Sequence, residues 1–202
     1  QATHTKWAGK TVHFARETDS TNLWGKRAWR EEGAGHGELF VAEYQSAGRG
    51  RFTRRWSAPP DSAITMSILI CPEFSPQKAP MLTLVMGLSV AQAVAELGLE
   101  VGIKWPNDVV VSRKKICGIL TEMTMKQDKI GCAVIGVGIN VNMESFPEEM
   151  ADKATSLYLE SGHPFDRAQV VGLVMKHFEE NYERFVQTED LSGLKPDYEK
   201  ML

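Results

Sequence analysis

Arginine and glycine are concentrated in one short segment of the chain. Four arginines fall within seven residues: Arg49, Arg51, Arg54 and Arg55. Guanidinium groups present planar sets of donors that fit phosphate or carboxylate oxygens, and the neighbouring Gly48 and Gly50 allow a backbone to approach a ligand closely. The surrounding stretch 45–63 has no apolar period, and long connections of this kind are often binding loops. The segment predicts an anion-binding loop, with a solvated basic loop as the alternative.

Two further segments combine residue types that core packing does not require. Lys104-Trp105-Pro106-Asn107-Asp108 places a lysine, an amide and a carboxylate at a strand end, although it could be a simple hairpin connection. Gly136-Val137-Gly138-Ile139-Asn140 superficially resembles a dinucleotide fingerprint but lacks the third glycine and the following helix. Glycines inside a strand instead indicate that another group, such as a ligand, lies close against the sheet.

Composition excludes several classes of protein. The formal net charge of -3 argues against a general nucleic-acid-binding protein, which needs many cations to neutralise phosphates. The three cysteines have no CxxC spacing and the five histidines no metal-ligand spacing, so neither a disulfide framework nor a structural metal is predicted. No apolar run approaches the roughly 20 residues that span a bilayer, and no signal peptide is evident. We expect a cytoplasmic protein without a membrane segment.

The elements that must position these residues follow from apolar periodicity. The pattern predicts helices from about Asn22 to Glu32, over Pro80–Leu97 and from Asp166 onward, with a further helix at the end of the chain. Predicted strands precede and follow the arginine loop, and four more form an antiparallel meander. The strands are Thr11–Ala15, Leu39–Tyr44, Ile64–Cys71, Val101–Lys104, Val109–Ser112, Ile116–Met123 and Ile130–Ile139, with polar turns at Arg113–Lys115 and Lys126–Lys129.

Five segments, in order and spacing, resemble the biotin protein ligase family. They are Asp19–Asn22, Gln45–Trp56, Lys104–Asp108, Lys114–Glu122 and Gly136–Asn142, and the resemblance covers roughly residues 11–145. It implies a single catalytic domain over residues 1–202 of the α+β class, with a mixed, mostly antiparallel sheet flanked by helices. This is the biotin/lipoate protein ligase-like fold, related to class II aminoacyl-tRNA synthetases.

The resemblance also implies an activity. Biotin attacks the α-phosphate of ATP, with Mg²⁺ on the phosphates, to give biotinyl-5′-AMP, and a lysine of a biotin carboxyl carrier protein then takes the biotinyl group. The catalytic residues implied are Lys115, Arg49, Arg51 and Asp108. Substrate-binding residues implied are Ser20, Thr21, Asn22, Gln45, Gly48, Arg49, Gly50, Arg51, Trp56, Lys104, Asn107, Lys115, Gly118 and Asn140.

Particular roles follow from the matching motifs. Ser20, Thr21 and Gln45 are expected at the ureido ring of biotin and Arg51 near its carboxylate end. Lys115 is expected to hold the carboxylate and the α-phosphate together, and Trp56 to stack near the adenine. Asn107 and Asp108 are candidates for phosphate, metal or incoming-lysine contacts, and Asn140 for the nucleotide side.

The sequence departs from the family's pattern in the loop and at the ends. Thr53 stands where the family usually has glycine, so a backbone with positive φ there would cost about 1–2 kcal/mol. The family's small C-terminal β-barrel domain is expected to be absent or truncated, which puts full ATP affinity and acceptor docking in doubt. An N-terminal helix-turn-helix domain is not expected, so no DNA binding is predicted, while an exposed strand edge in the meander could support a homodimer.

Three other functions fit parts of the pattern. A lipoate or octanoate ligase or transferase would share the fold, but the loop and the Lys104–Asp108 segment favour biotin, and Cys117 reads as a core residue rather than an activated thiol. A nucleic-acid-binding module could use the arginines with Phe52 and Trp56, against the overall acidity. A non-catalytic biotin sensor would bind biotin without forming AMP.

Overall fold

The computed structural model describes residues 4–52, 54–106 and 108–202. The described residues form seven strands and six α-helices. The strands are β1 Val12–Thr18, β2 Leu39–Gln45, β3 Ala63–Ile70, β4 Val101–Lys104, β5 Asp108–Val111, β6 Lys114–Lys126 and β7 Lys129–Asn140. The helices are α1 Thr21–Arg27, which continues as a π-helical turn Ala28–Glu32, α2 Met81–Glu96, α3 Glu148–Ala151, α4 Leu157–Ser161, α5 Arg167–Thr188 and α6 Lys195–Glu199, with a 3₁₀ turn Pro76–Lys78 before α2.

All seven strands form one sheet in the order β1-β2-β3-β7-β6-β5-β4. β1 and β2 are parallel, and every other neighbouring pair is antiparallel. The predicted mixed, mostly antiparallel sheet is confirmed, and so is the meander from β4 to β7. The long helix predicted from Asp166 is α5, whose N-cap Asp166 accepts a hydrogen bond from the Ala168 N–H at 2.9 Å.

One face of the sheet is apolar and covered. Residues opposite each other in an antiparallel ladder point to the same face, which places Met66 beside Val137 and Ile68 beside Ile135. These side chains are buried with α2 and α5 in the main core. Burial of this face therefore supplies most of the hydrophobic stabilisation of the fold.

The opposite face carries glycine and polar residues near the centre of the sheet. Ser67 lies opposite Gly136, and Gly138 lies opposite Gly118. Further from the centre, a smaller apolar cluster that includes Phe40 packs with the segment that begins at α1. α1 is thus held over this face, and the central strands below it are left with small side chains.

The turn between β5 and β6 differs from the prediction. We expected a polar turn at Arg113–Lys115, but β6 begins at Lys114, and only Ser112 and Arg113 connect the two strands. Both have positive φ, 50° and 64°, as a two-residue type I′ turn requires. The pattern failed here because two lysines look like a turn, although in the structure they belong to a strand. As a consequence Lys115 is fixed by strand pairing rather than carried on a mobile turn.

Two features bear on compartment and redox chemistry. The segment Pro76–Glu96 is long and apolar enough to cross a membrane by length and composition alone, but it contains α2, which packs against α5 and the sheet. The second feature is the state of the cysteines. Cys71, Cys117 and Cys132 are all free thiols, and the last two are buried. Burial raises the pKa of the Cys117 thiol well above its ordinary value, which agrees with its interpretation as a core residue.

Candidate active site

The turn that starts α1 is fixed by hydrogen bonds on both sides. Ser20 is the N-cap of α1, and its hydroxyl accepts a hydrogen bond from the Leu23 N–H at 3.5 Å. Asp19 receives two hydrogen bonds from Arg27, at 2.7 and 3.0 Å, and these hydrogen bonds lower the pKa of Asp19 to about 2. Thr21 donates its backbone N–H to Gln45 Oε1 at 2.7 Å. Three of the predicted biotin contacts, Ser20, Thr21 and Gln45, therefore lie together.

A buried hydroxyl continues this network into the sheet. Ser67, fully buried on β3, has its Oγ 2.6 Å from Asn22 Oδ1 and 2.7 Å from Thr21 Oγ1. The Asn22 NH₂ group donates to the Leu120 carbonyl at 3.2 Å and to Glu122 Oε2 at 2.9 Å. Both of these partners can only accept, so they fix the orientation of the Asn22 amide.

The arginine loop forms a small hairpin. The Trp56 N–H donates to the Gly48 carbonyl at 3.1 Å, the Gly50 N–H donates to the Arg54 carbonyl at 2.7 Å, and Arg49 and Arg55 form a β-bridge between them. A Cβ atom at Gly48 would overlap the Trp56 carbonyl, which explains why the hairpin needs glycine there. The long connection is therefore partly ordered by its own backbone hydrogen bonds, which apolar periodicity does not reveal.

Two arginines of the hairpin have clear partners. Arg49 NH1 lies 3.0 Å from Glu122 Oε1, and the Arg51 guanidinium lies 4.9 Å from the centroid of the Phe52 ring. Thr53 lies outside the described residues, so the predicted cost of a positive φ at Thr53 stays a prediction. In the described part of the tip, Phe52 has a φ of 52° and is 79% exposed.

The strand glycines make room for side chains of the predicted site. A Cβ atom at Gly136 would overlap the Asn22 amide, and one at Gly138 would overlap the Trp56 indole. At Gly118 a Cβ would lie 3.2 Å from Lys115 Nζ and 3.6 Å from the Trp56 ring. The prediction that another group lies against these glycines is confirmed, and the groups are side chains of this chain. The buried Trp56 Nε1 has no hydrogen-bond partner among the described residues.

Lys115 is held by backbone and side chain together. Its N–H donates to the Lys153 carbonyl at 2.9 Å, and its carbonyl accepts from the Thr155 N–H at 3.0 Å. Its Nζ lies 2.8 Å from Asp108 Oδ1, and the two side chains are 35% and 27% exposed. The arrangement presents a fixed ammonium group to solvent beside a carboxylate, at the edge of the glycine-lined face.

Three further residues are predicted to bind substrate: Lys104, Asn107 and Asn140. Lys104 ends β4 directly opposite Asp108, and its side chain is exposed. Asn107 lies outside the described residues. Asn140 is 5% exposed and donates to the Thr155 carbonyl at 3.1 Å, so in this structure it supports the segment that pairs with Lys115. Its contact with a nucleotide stays a prediction.

Sequence reasoning assigned no role to three polar residues of this face. Glu122 binds Asn22, Lys26 and Arg49, and Ser67 links Asn22 to Thr21. A signal for Ser67 was present, because it is a lone hydroxyl near the middle of the strand Ala63–Ile70. Nothing in the sequence indicated a role for Lys26, because a lysine on a helix is usually exposed to solvent.

A cavity of about 430 Å³ adjoins the arginine hairpin. It lies between the start of α2, the turn after β4 and the strand β6, and most of its lining side chains are apolar. The lining residues are Arg51, Ala79, Pro80, Met81, Thr83, Leu84, Trp105, Pro106, Ile119, Leu120, Thr121 and Met123. Ligand sites combine such apolar walls with a few placed polar groups, and Arg51 supplies one here.

The chain is similar to known sequences over most of its length. It is 43% identical over 156 residues to the bifunctional ligase/repressor BirA of Bacillus spizizenii, across 76% of this chain and 48% of that protein. It is 36% identical over 148 residues to the biotin acetyl-CoA-carboxylase ligase of Mycobacterium tuberculosis, across 71% of this chain and 53% of that protein. The chain thus spans about half the length of the curated relatives it matches.

The fold leads to the same group of proteins. The biotin protein ligase of Aquifex aeolicus, solved in complex with biotin and ATP, superimposes with a TM-score of 0.80 at 34% identity, covering 96% of this chain and 78% of that one. The model of the biotin/lipoate A/B protein ligase family matches residues 14–140, the region that holds nearly all of the polar face. The chain belongs to the biotin/lipoate A/B protein ligase family.

Proposed function

We propose that this chain carries the catalytic domain of an ATP-dependent biotin protein ligase, which forms biotinyl-5′-AMP and passes biotin to a lysine of a biotin carboxyl carrier protein. The observation that supports this most is the convergence of three groups on one glycine-lined face. These are the hydrogen-bond network at the start of α1, the arginine hairpin and the Lys115–Asp108 pair. The solved relative that binds biotin and ATP has the same fold.

Recognition of biotin would fall to the start of α1. A ureido ring presents one carbonyl acceptor and two N–H donors, and Ser20, Thr21 and Gln45 offer hydroxyl and amide groups that can match both kinds. In a pocket that excludes water, a missing partner would cost about 1–3 kcal/mol. An analogue without the ureido ring, such as lipoate or octanoate, would leave these protein groups unpaired and would bind less tightly.

The first chemical step joins biotin to the nucleotide. A biotin carboxylate oxygen attacks the α-phosphorus of ATP, the bond to the β-phosphate oxygen breaks, and pyrophosphate leaves. Two anionic groups must approach each other, so a fixed cation between them lowers the barrier. Two observations support this role for Lys115: strand pairing fixes its backbone, and Asp108 lies 2.8 Å from its ammonium group.

The second step transfers the biotinyl group. The neutral amine of an acceptor lysine attacks the carboxyl carbon of the mixed anhydride, the bond to the AMP oxygen breaks, and the amine loses a proton. Arg49 and Arg51 on the hairpin would cover the anhydride and keep water from hydrolysing it before the acceptor arrives. Asp108 is a candidate contact for the incoming lysine.

Magnesium is expected with the nucleotide. Among residues 4–52, 54–106 and 108–202, no three His, Cys, Asp or Glu side chains are grouped to hold a metal. Mg²⁺ at phosphate-transfer sites takes most of its ligands from phosphates and water and needs only one or two carboxylates, so the residues present fit it. Asp108 is the candidate carboxylate, and the ion would neutralise charge that develops on the phosphoryl oxygens.

The expected setting follows from the proposal. The acceptor, a biotin carboxyl carrier protein, the cytoplasmic location and the absence of DNA binding by this domain remain predictions, as does a homodimer. The net charge of -3 supports the lack of general affinity for nucleic acid.

Biotin-dependent release of pyrophosphate from ATP tests the proposal against its alternatives. We expect the chain to release pyrophosphate from ATP with biotin and not with lipoate or octanoate, and Lys115→Ala to lower the rate about 100-fold or more. Lys114→Ala, the neighbouring lysine, is the matched control, because its ammonium group binds the Ala151 carbonyl instead. Biotin binding without any release of pyrophosphate would favour a biotin sensor, and activity with lipoate would favour the lipoyl branch of the family.

A further inference from the structure

Glu122 closes the Lys114–Glu122 segment and has no place in the mechanism described above. Its side chain is 18% exposed, on the same face of the sheet as Gly118. Three groups from two other elements converge on it. Asn22 Nδ2 lies 2.9 Å from Oε2, while Lys26 Nζ at 3.1 Å and Arg49 NH1 at 3.0 Å both approach Oε1.

The carboxyl group of Glu122 is ionised in this setting. Burial alone would raise the pKa of Glu122, but hydrogen bonds from Asn22 and Lys26, with the charges of Lys26 and Arg49, hold it below its ordinary value. An ionised carboxylate in a poorly solvated position is stable only while a cation stays beside it.

The two cations on this carboxylate differ in how deeply their side chains are buried. Lys26 belongs to α1, which is packed over the sheet, and its side chain is only 18% exposed. Arg49 belongs to the hairpin between β2 and β3, and its side chain is 47% exposed. Arg49 can therefore turn toward a bound anion while Lys26 keeps the carboxylate paired.

We propose that Glu122 is a positioning residue that holds the Arg49 guanidinium over the polar face of the sheet, with Lys26 as the permanent counter-ion that lets Arg49 move to a bound phosphate. The expected effect on adenylation rests on the proposed function, whereas the anchoring of the hairpin by Glu122 does not. Glu122 also connects the hairpin to the start of α1, because Asn22 links it through Ser67 to Thr21.

Limited proteolysis tests whether Glu122 anchors the arginine hairpin to the sheet, and it needs no activity measurement. Trypsin cleaves after arginine, so Glu122→Gln should raise the rate of cleavage within residues 49–55 about tenfold by releasing the hairpin from the sheet. Glu96→Gln is the matched control, because Glu96 also pairs with two basic side chains, Lys176 and His177, but between α2 and α5. Equal cleavage rates in the two variants would overturn the anchoring role.

A double-mutant cycle tests the positioning role. In single-turnover adenylation, Glu122→Gln should lower the rate about 10- to 100-fold, with the dissociation constant for biotin changed less than about threefold. In an Arg49→Ala background the same substitution should change the rate less than about twofold, because its effect passes through Arg49. An equal loss in both backgrounds would overturn the proposal. A wild-type chain that forms no biotinyl-5′-AMP from biotin and ATP would contradict the proposed function, and proteolysis would still decide the anchoring.

Discussion

The two faces of the central strands differ in what their side chains do. Alternate residues of β3 and β7 on one face, such as Met66, Ile68 and Ile135, are buried in the core with α2 and α5. Their neighbours on the other face are Ser67, Gly136 and Gly138, which contact the hydroxyl, amide and indole groups of the candidate site. Since side chains alternate along a strand, stability and chemistry are carried by adjacent residues of the same segments.

This comparison teaches why the site can be both polar and well ordered. The covered face fixes the strands, so the glycine face needs no large side chains of its own for stability and can leave space beside the backbone. Substitutions on the two faces should therefore separate stability from ligand binding.

The largest effect on stability is expected on the covered face. Ile135→Ala removes a fully buried side chain between β3 and β6, and should lower the free energy of unfolding by about 2–5 kcal/mol through lost burial and the cavity left behind. Biotin affinity of the folded fraction should change little. Urea unfolding followed by circular dichroism gives the first value and calorimetric titration the second. A large loss of affinity at unchanged stability would contradict the division between the faces.

Gly138→Ala, on the glycine-lined face, should reduce ligand affinity more than it reduces stability. The added methyl group would overlap the Trp56 indole and displace it, so affinity for ATP, whose adenine Trp56 is expected to contact, should fall about tenfold, while stability falls less than for Ile135→Ala. Gly172→Ala in α5 is the matched control, because no described atom outside its own stretch of helix lies within 4 Å of its Cβ position, and alanine there should raise stability by up to about 1 kcal/mol. Unchanged affinity in Gly138→Ala would mean that Trp56 is not part of the site.

A smaller effect is expected from Cys117→Ala. Cys117 is buried on the covered face, and burial raises the pKa of its thiol, so it should be unreactive. Its loss should cost about 1 kcal/mol of stability and leave the rate of biotin-dependent pyrophosphate release within about twofold. Loss of activity together with protection of the thiol by an acyl substrate would instead indicate a cysteine-dependent transferase.

The smallest effect concerns Asp19 and depends on pH. Hydrogen bonds from Arg27 lower the pKa of Asp19 from 3.8 to about 2, so the ionised form favours the folded state. This contribution is complete above the unfolded-state pKa and is lost as the pH falls toward 2. Asp19→Asn should lower stability by about 1 kcal/mol or less at pH 7, because the carboxylate is 39% exposed, and the difference should shrink between pH 5 and 2. Urea unfolding at several pH values would show it, and a difference that grows in acid would contradict it.

Local patterns predicted much of the fold because its long elements have strong periodicity. α2, α5 and the strands of the meander follow from the spacing of apolar residues, and glycines at 136 and 138 predicted a close neighbour. Contacts between segments distant in sequence could not be predicted from these local patterns. The pairing of Lys115 with the segment 153–155 and the ion pairs of Glu122 join residues far apart in sequence, so only the folded chain reveals them.

The pattern also failed where a residue type has two uses. The lysines at 114 and 115 predicted a turn, but backbone pairing places them in β6. The stretch 45–63 is a loop between β2 and β3, as predicted, but apolar periodicity gave no sign that Gly48, Gly50 and Trp56 close a hairpin within it through backbone hydrogen bonds. Periodicity describes side chains, and these elements are fixed by the backbone.

Calorimetric titration with biotin, lipoate and octanoate is the most direct test of the central claim that the glycine-lined face, together with the arginine hairpin and Lys115 beside it, forms a biotin site. We predict selective binding of biotin, weakened about tenfold or more by Arg51→Ala and by Lys115→Ala, with both variants folded as judged by circular dichroism. If biotin bound with unchanged affinity in both variants, or lipoate bound in preference to biotin, the assignment of this face to biotin would be wrong.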